Sequence, residues 1–216
     1  MDLQDKIVLV TGASRGLGAG IALNAAKQGA HVIAVARTVG ALEALDDQIQ
    51  AEGGAATLVP LDLTEREAVR QMGASIHERW GGVDLWCHTA IHGAPLTPAN
   101  HIDAKDLDKS LSVNFLAAQN AIESIDPLLR AKSGQAIYLT DGNATGKFFG
   151  TYGSTKAAQV TLFDHWAAEM AASGFHVTAF EPKPMPTALR ARFFPGEERD
   201  GLADPMEEAK RLLATL

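Results

Sequence analysis

A single cysteine, Cys87, occurs in the chain, so no disulfide can form within it. Thiol usage this sparse fits a reducing cytosol. Long apolar runs are missing as well: none approaches the ~20 residues that a membrane-spanning helix needs. The run Ile7–Val10 near the start is too short for a signal-peptide core and follows two aspartates. A cytoplasmic protein without a membrane segment is expected. Positive charge is scarce: 19 Lys and Arg face 26 Asp and Glu, for a net charge of −7. Nucleic-acid binding usually shows as a basic patch, and none is present, so nucleic acid is not an expected partner. No internal repeat or low-complexity linker divides the 216 residues, which suit one domain spanning 1–216. Metal is not expected either. His88 and His92 lie at a strand end and in the loop beyond it, with no third ligand in the pattern.

What the chain does have is alternation. Short runs rich in β-branched and apolar residues recur at 6–11, 31–36, 56–61, 83–88, 135–140 and 175–180. Continuous apolar runs of this kind predict strands buried on both faces of a parallel sheet. Helical spacing fills the intervals. Thr64 to Glu67 reads as a capping box, followed by Val69, Met72, Ile76 and Trp80 and a stop at Gly81. Leu111, Phe115, Ala118, Ile122, Ile125 and Leu129 form one apolar stripe, with Pro127 as a bend or break. The expected fold is α/β: a Rossmann-type doubly wound parallel sheet of about six strands, order 3-2-1-4-5-6, with helices on both faces. Two loops, 89–101 and 181–204, follow strand ends, where such sheets bind ligands.

The stretch TGASRGLG (11–18) follows the first strand and opens the first helix. Gly12 permits a tight turn, Gly16 a close approach to phosphate, and Gly18 a helix lying close to the sheet. No Lys-Ser/Thr follows the glycines, so this is not a P-loop. The second strand ends in Ala36 and Arg37 rather than in an acidic residue that would accept a ribose 2′-hydroxyl. With Arg15 in the glycine loop, two guanidiniums can clamp a 2′-phosphate, so NADP is favoured over NAD. Asp62 and Leu63 end the third strand, positioned either to meet an adenine ring or to shape the turn.

Tyr152 and Lys156 lie four apart at a helix start and therefore share a face. A phenol titrates near ~10, and a neighbouring ammonium brings it toward working range. Asn114 falls off the apolar stripe, which argues against an ordinary core role.

These stretches, TGASRGLG, Asp62-Leu63, Asn114 in SVNF and YGSTK at 152–156, resemble in order and spacing the short-chain dehydrogenase/reductase family over nearly the whole chain. The resemblance implies hydride transfer between a nicotinamide cofactor and a small carbonyl or alcohol. It implies Tyr152 as general acid/base, Lys156 on the nicotinamide ribose, and Asn114 holding a relay water. Cofactor contacts are implied at Gly12, Ser14, Arg15, Gly16, Leu17, Gly18, Arg37, Asp62, Leu63, Thr89, Ala90, Tyr152, Lys156, Pro182 and Thr187.

Three departures stand out. HTAI (88–91) replaces an Asn-Asn-Ala-Gly turn, and PKP (182–184) a Pro-Gly, leaving Lys183 to reach an anion or to face solvent. The column of the catalytic serine falls on Asp141, with Thr140 beside it. An ionised Asp141 only accepts hydrogen bonds and would raise the tyrosine pKa. Either residue is a candidate for the missing hydroxyl role. The expected protein is an NADPH-linked reductase. The alternative is an NADP-binding sensor or interaction protein with a degenerate site. Many family members continue into a seventh strand, where this chain has a helix at 205–215; a homodimer through helices 106–132 and 151–173 is expected instead.

Overall fold

The computed structural model describes the backbone of residues 1–216 and every side chain except that of Asn143. Strands β1 (Ile7–Thr11), β2 (His31–Ala36), β3 (Ala55–Pro60), β4 (Leu85–His88), β5 (Gln135–Leu139) and β6 (His176–Phe180) form one sheet in the order β3-β2-β1-β4-β5-β6. All neighbours pair in parallel. The connections carry α1 (Gly16–Lys27), α2 (Val39–Ala51), α3 (Arg66–Trp80), α4 (Ala104–Ser110), α5 (Ala117–Lys132) and α6 (Gly150–Met170); α7 (Ala188–Phe193) and α8 (Pro205–Leu213) follow β6.

Strand alternation sends side chains to two cores. Val8, Val10, Val32 and Ala34 pack with residues of α1, α2 and α8. Leu9, Ile33, Val35 and Trp86 pack with residues of α3, α5 and α6. Each fully buried Val, Leu or Ile contributes ~1.5–3 kcal/mol of transfer free energy. Burial on both faces holds for β1 and β4 and nearly for β2. It fails at β3 and β6, which are the sheet edges and are partly exposed.

Three local expectations change. The Thr64–Glu67 capping box does not form: Glu65 is the N-cap of α3 and no side chain caps it. Asp62 reaches Thr64 first, accepting from its amide at 3.0 Å and its hydroxyl at 2.9 Å. This is a local side-chain turn that competes with the cap. Pro127 neither ends nor splits α5, which runs through it to Lys132. The apolar stripe does not continue N-terminally. Leu111–Leu116 is a π-helical turn between α4 and α5. The wider turn rotates the face, so Asn114 is buried while Leu111 and Leu116 meet solvent. Such turns are frequent at functional sites.

Asp204 caps α8 by accepting from the Met206 amide at 2.6 Å, and α8 lies on α1. The contact is close because Gly20 has no side chain: a Cβ there would meet the Pro205 carbonyl at 2.9 Å. Among the described residues no helix is long and apolar enough to cross a membrane. No group of three or more His, Cys, Asp or Glu among them is placed to hold a metal.

Candidate active site

A cleft of about 600 Å³ opens at the carboxyl ends of the strands, where the chain order reverses between β1 and β4. This is the switch point at which open α/β sheets take ligands. All the residues assigned above to cofactor or catalysis line it except Asn114, which stands behind the wall.

The glycine turn is shaped by its neighbours. Gly12 has φ +89°, and a Cβ there would sit 2.6 Å from the Ala90 amide nitrogen. Gly16 has φ +57°. A side chain at Gly18 would collide with the Gly12 carbonyl and the Thr89 hydroxyl. Thr89 pins the turn from β4, its amide donating to the Thr11 carbonyl at 2.8 Å and its hydroxyl to the same oxygen at 2.9 Å. The altered HTAI turn therefore still supports the cradle. Arg15 and Arg37 stand exposed at the rim. Arg37 lies 3.6 Å from Asp62. Partial burial pushes the Asp62 carboxyl upward, but the two Thr64 hydrogen bonds and Arg37 outweigh it and hold the group below its ordinary range. Asp62 thus shapes its turn, whatever else it meets. The bare backbone and the two guanidiniums on the cleft lining fit a dinucleotide phosphate.

At the other end, the Tyr152 hydroxyl donates to Asp141 Oδ2 at 2.8 Å. Thr140 and Asp141 both line the cleft, and it is Asp141 that meets the tyrosine. Tyr152 is only 2% exposed, its ring 4.7 Å from that of Phe193. Burial first, and the Asp141 carboxylate second, push its pKa far above the ordinary phenol value. Lys156 Nζ donates to Gln159 Oε1 at 2.7 Å. Burial lowers the Lys156 pKa to about 8, with Asp141 opposing the fall.

Asn114 is a clamp. Its Oδ1 accepts from the His92 amide at 2.7 Å, and its Nδ2 donates to the His92 carbonyl and the Thr155 hydroxyl, each at 2.9 Å. It fixes the loop after β4 against α6. Phe149 and Phe193 form a cluster on Tyr152, while Phe148 is exposed. Thr187 caps α7 by accepting from the Arg190 amide at 3.4 Å. Lys183 is exposed, but its amide donates at 2.8 Å to Glu208, a buried carboxylate of α8.

Gln159 and Glu208 are not singled out by motif. Gln159 had a signal: it interrupts the buried stripe Tyr152, Lys156, Phe163, Trp166, Met170 with a polar side chain. Glu208 had none, since its partners are 25 residues away or part of an ordinary helix pair.

A parallel sheet of this order with a glycine-turn cleft at its switch point defines a dinucleotide-binding α/β protein. The short chain dehydrogenase family profile matches residues 6–198. The chain is 33% identical over 165 residues to a fatty acyl-CoA reductase of Acinetobacter baylyi, covering 73% of this chain but 55% of that relative. It is 33% identical over 199 residues to an A-factor type gamma-butyrolactone 1′-reductase (1S-forming) of Streptomyces virginiae, covering 89% of this chain and 76% of the relative. A short chain dehydrogenase of Escherichia coli CFT073 complexed with NADPH superposes with a TM-score of 0.90 at 26% identity, over 98% of this chain and 91% of that one. The chain belongs to the short chain dehydrogenase family and is an oxidoreductase.

Proposed function

We propose that this oxidoreductase uses NADPH to reduce a small carbonyl compound, with Tyr152 as proton donor. The observation that carries the reading is the meeting of the glycine cradle, Arg15 and Arg37 with Tyr152, Lys156 and Asp141 in one cleft. Gly12, Gly16, Arg15 and Arg37 would hold the phosphates, Thr187 and Lys156 the nicotinamide end. When bound, the cofactor supplies the hydride. The chain's own part is the proton. A phenol whose pKa is pushed far up stays protonated at neutral pH, the state a donor requires and the wrong state for a base. This favours reduction over alcohol oxidation. Lys156, charged below about 8, offers a cation to the nicotinamide end of the cleft. Asn114 fixes the cleft wall behind it.

The test begins with fluorescence titration using NADPH and NADH, followed by a panel of aldehydes and ketones. NADPH should bind more tightly, and Tyr152→Phe should abolish NADPH oxidation while leaving cofactor binding intact. Tighter NADH binding, or full activity in Tyr152→Phe, would overturn the assignment.

A second reading has its own support. The Tyr152 hydroxyl is engaged by Asp141 and its ring is covered by Phe193, as in a cofactor-binding protein with little turnover. Tight NADPH binding, no reduction across the panel, and turnover gained on Asp141→Ser would favour it. The chain is further proposed to act in the cytoplasm, consistent with its lone thiol, buried Cys87. It is proposed to pair as a homodimer through the segments 106–132 and 151–173, the first of which carries the exposed Leu111 and Leu116.

A further inference from the structure

The buried stripe of α6 carries a polar chain that ends on Lys156. Gln159 is 1% exposed. Its Oε1 accepts from Lys156 Nζ at 2.7 Å, and its Nε2 meets the Asn114 main-chain carbonyl at 2.8 Å and His88 Nε2 at 3.3 Å. The proton count fixes every orientation. An ammonium only donates, so the amide oxygen must face Lys156. The amide nitrogen then gives one hydrogen to Asn114 and the other to His88. His88 Nε2 therefore accepts, and its proton sits on Nδ1, 2.9 Å from the Thr11 hydroxyl. Thr11 Oγ1 accepts a second hydrogen from Trp86 Nε1 at 3.1 Å, and its own hydrogen points toward the Cys87 carbonyl at 3.5 Å. The scheme requires a neutral imidazole, which burial enforces, with Lys156 adding to the effect. A buried polar chain is costly when partly satisfied and rigid when complete. In this one both polar atoms of the Gln159 amide and both ring nitrogens of His88 have partners.

We infer that Gln159 is a positioning residue: held from behind by His88 and the Asn114 carbonyl, its side-chain oxygen keeps the Lys156 ammonium charged and aimed within the cleft wall. The inference rests on Lys156 acting beside the reacting centre, and it assigns that lysine's anchor to the protein's own amide. Around Lys156 the titratable groups are Tyr152 one turn earlier on α6, His88 at the end of β4, and Asp141 beyond β5. Asp141 favours the charge and burial opposes it. Removing Gln159 takes away a neutral acceptor, which disfavours the ammonium.

The test uses the full chain without cofactor. With ¹³C-labelled lysine, the Lys156 Cε resonance, identified by its loss in Lys156→Arg, is followed against pH by NMR. In Gln159→Leu the titration should move down by about one unit, the scale of a lost hydrogen bond to a charged group. In Gln159→Glu, which keeps the size and places a carboxylate beside the ammonium, it should move up. NADPH affinity at neutral pH should fall in the leucine variant and recover toward wild type in the glutamate variant. A Lys156 titration unmoved in both variants would overturn the inference, even if their melting temperatures fell. Should Gln159→Leu not fold by circular dichroism, the glutamate variant decides alone, and an unmoved titration there overturns it equally. Wild-type protein that fails to bind NADPH would sink the proposed function while leaving the NMR result readable.

Discussion

At Tyr152 the hydroxyl hydrogen points to a carboxylate oxygen of Asp141 at 2.8 Å. The consequence is directional: the phenol is held protonated, so the residue suits donation to a carbonyl oxygen. The carboxylate also repels the alkoxide-like charge that grows there. Asp141→Ser removes the repulsion and restores a hydroxyl. Carbonyl reduction in that variant should exceed wild type, and the Tyr152 titration should drop; an unchanged pH profile would show that Asp141 does not act on Tyr152. Arg37 carries the proposed preference for NADPH. Its guanidinium is more than half exposed and pairs with Asp62 at 3.6 Å, a surface pair that it can leave for a ligand at little cost. Charge-assisted bonds to phosphate are worth ~1.5–3 kcal/mol, so Arg37→Ala should weaken NADPH roughly 10- to 100-fold and leave NADH nearly unchanged. Parallel titrations with the two nucleotides check this.

Among the elements, the π-helical turn Leu111–Leu116 does the unexpected work. It buries Asn114, whose side chain holds the His92 backbone from both sides and Thr155 besides. Asn114→Ala leaves the His92 amide and carbonyl without these partners. The cost should be about 2–3 kcal/mol, or about 5–10 °C in Tm for a chain of this size, together with weaker NADPH binding. Calorimetry and titration measure the two effects separately. The strands and most helices could be read from apolar runs and spacing because local burial pattern dictates them. The π turn could not. Its sequence, LSVNFL, continues the 3–4 rhythm of the stripe, and only packing against α6 and the loop after β4 makes the wider turn preferable. The failed capping box has a similar cause, since Asp62 competes for Thr64 from two residues away.

For the whole molecule, two expectations follow. The first concerns acid. His88 is neutral in the fold down to about 3, against an ordinary value of 6.5. The unfolded chain therefore binds one more proton between those limits, and stability falls as pH drops through that window. The slope for one such proton is about 1.4 kcal/mol per pH unit. Melting temperatures from pH 7 to 4 should fall more steeply in wild type than in His88→Gln, even though the variant starts lower; equal slopes would remove His88 from the account. The second concerns assembly. Leu116 is 52% exposed and Leu111 40% on the face assigned to pairing. Leu116→Glu should convert a dimer to a monomer by light scattering, with the far-ultraviolet dichroism unchanged.

By itself the sequence determined the strands, the glycine cradle and the Tyr152–Lys156 pair. Each of these is written in residues close together along the chain: a β-branched run, three glycines in a turn, two side chains one helical turn apart. Only the tertiary structure decided what those residues touch. That Tyr152 turns to Asp141, that His88 and the Asn114 carbonyl hold Gln159 beneath Lys156, and that Glu208 holds the loop at Lys183 depend on atoms brought together from different elements. Burial then sets their charge states, because the cost of an unpaired charge depends on a dielectric that exists only once the chain has folded.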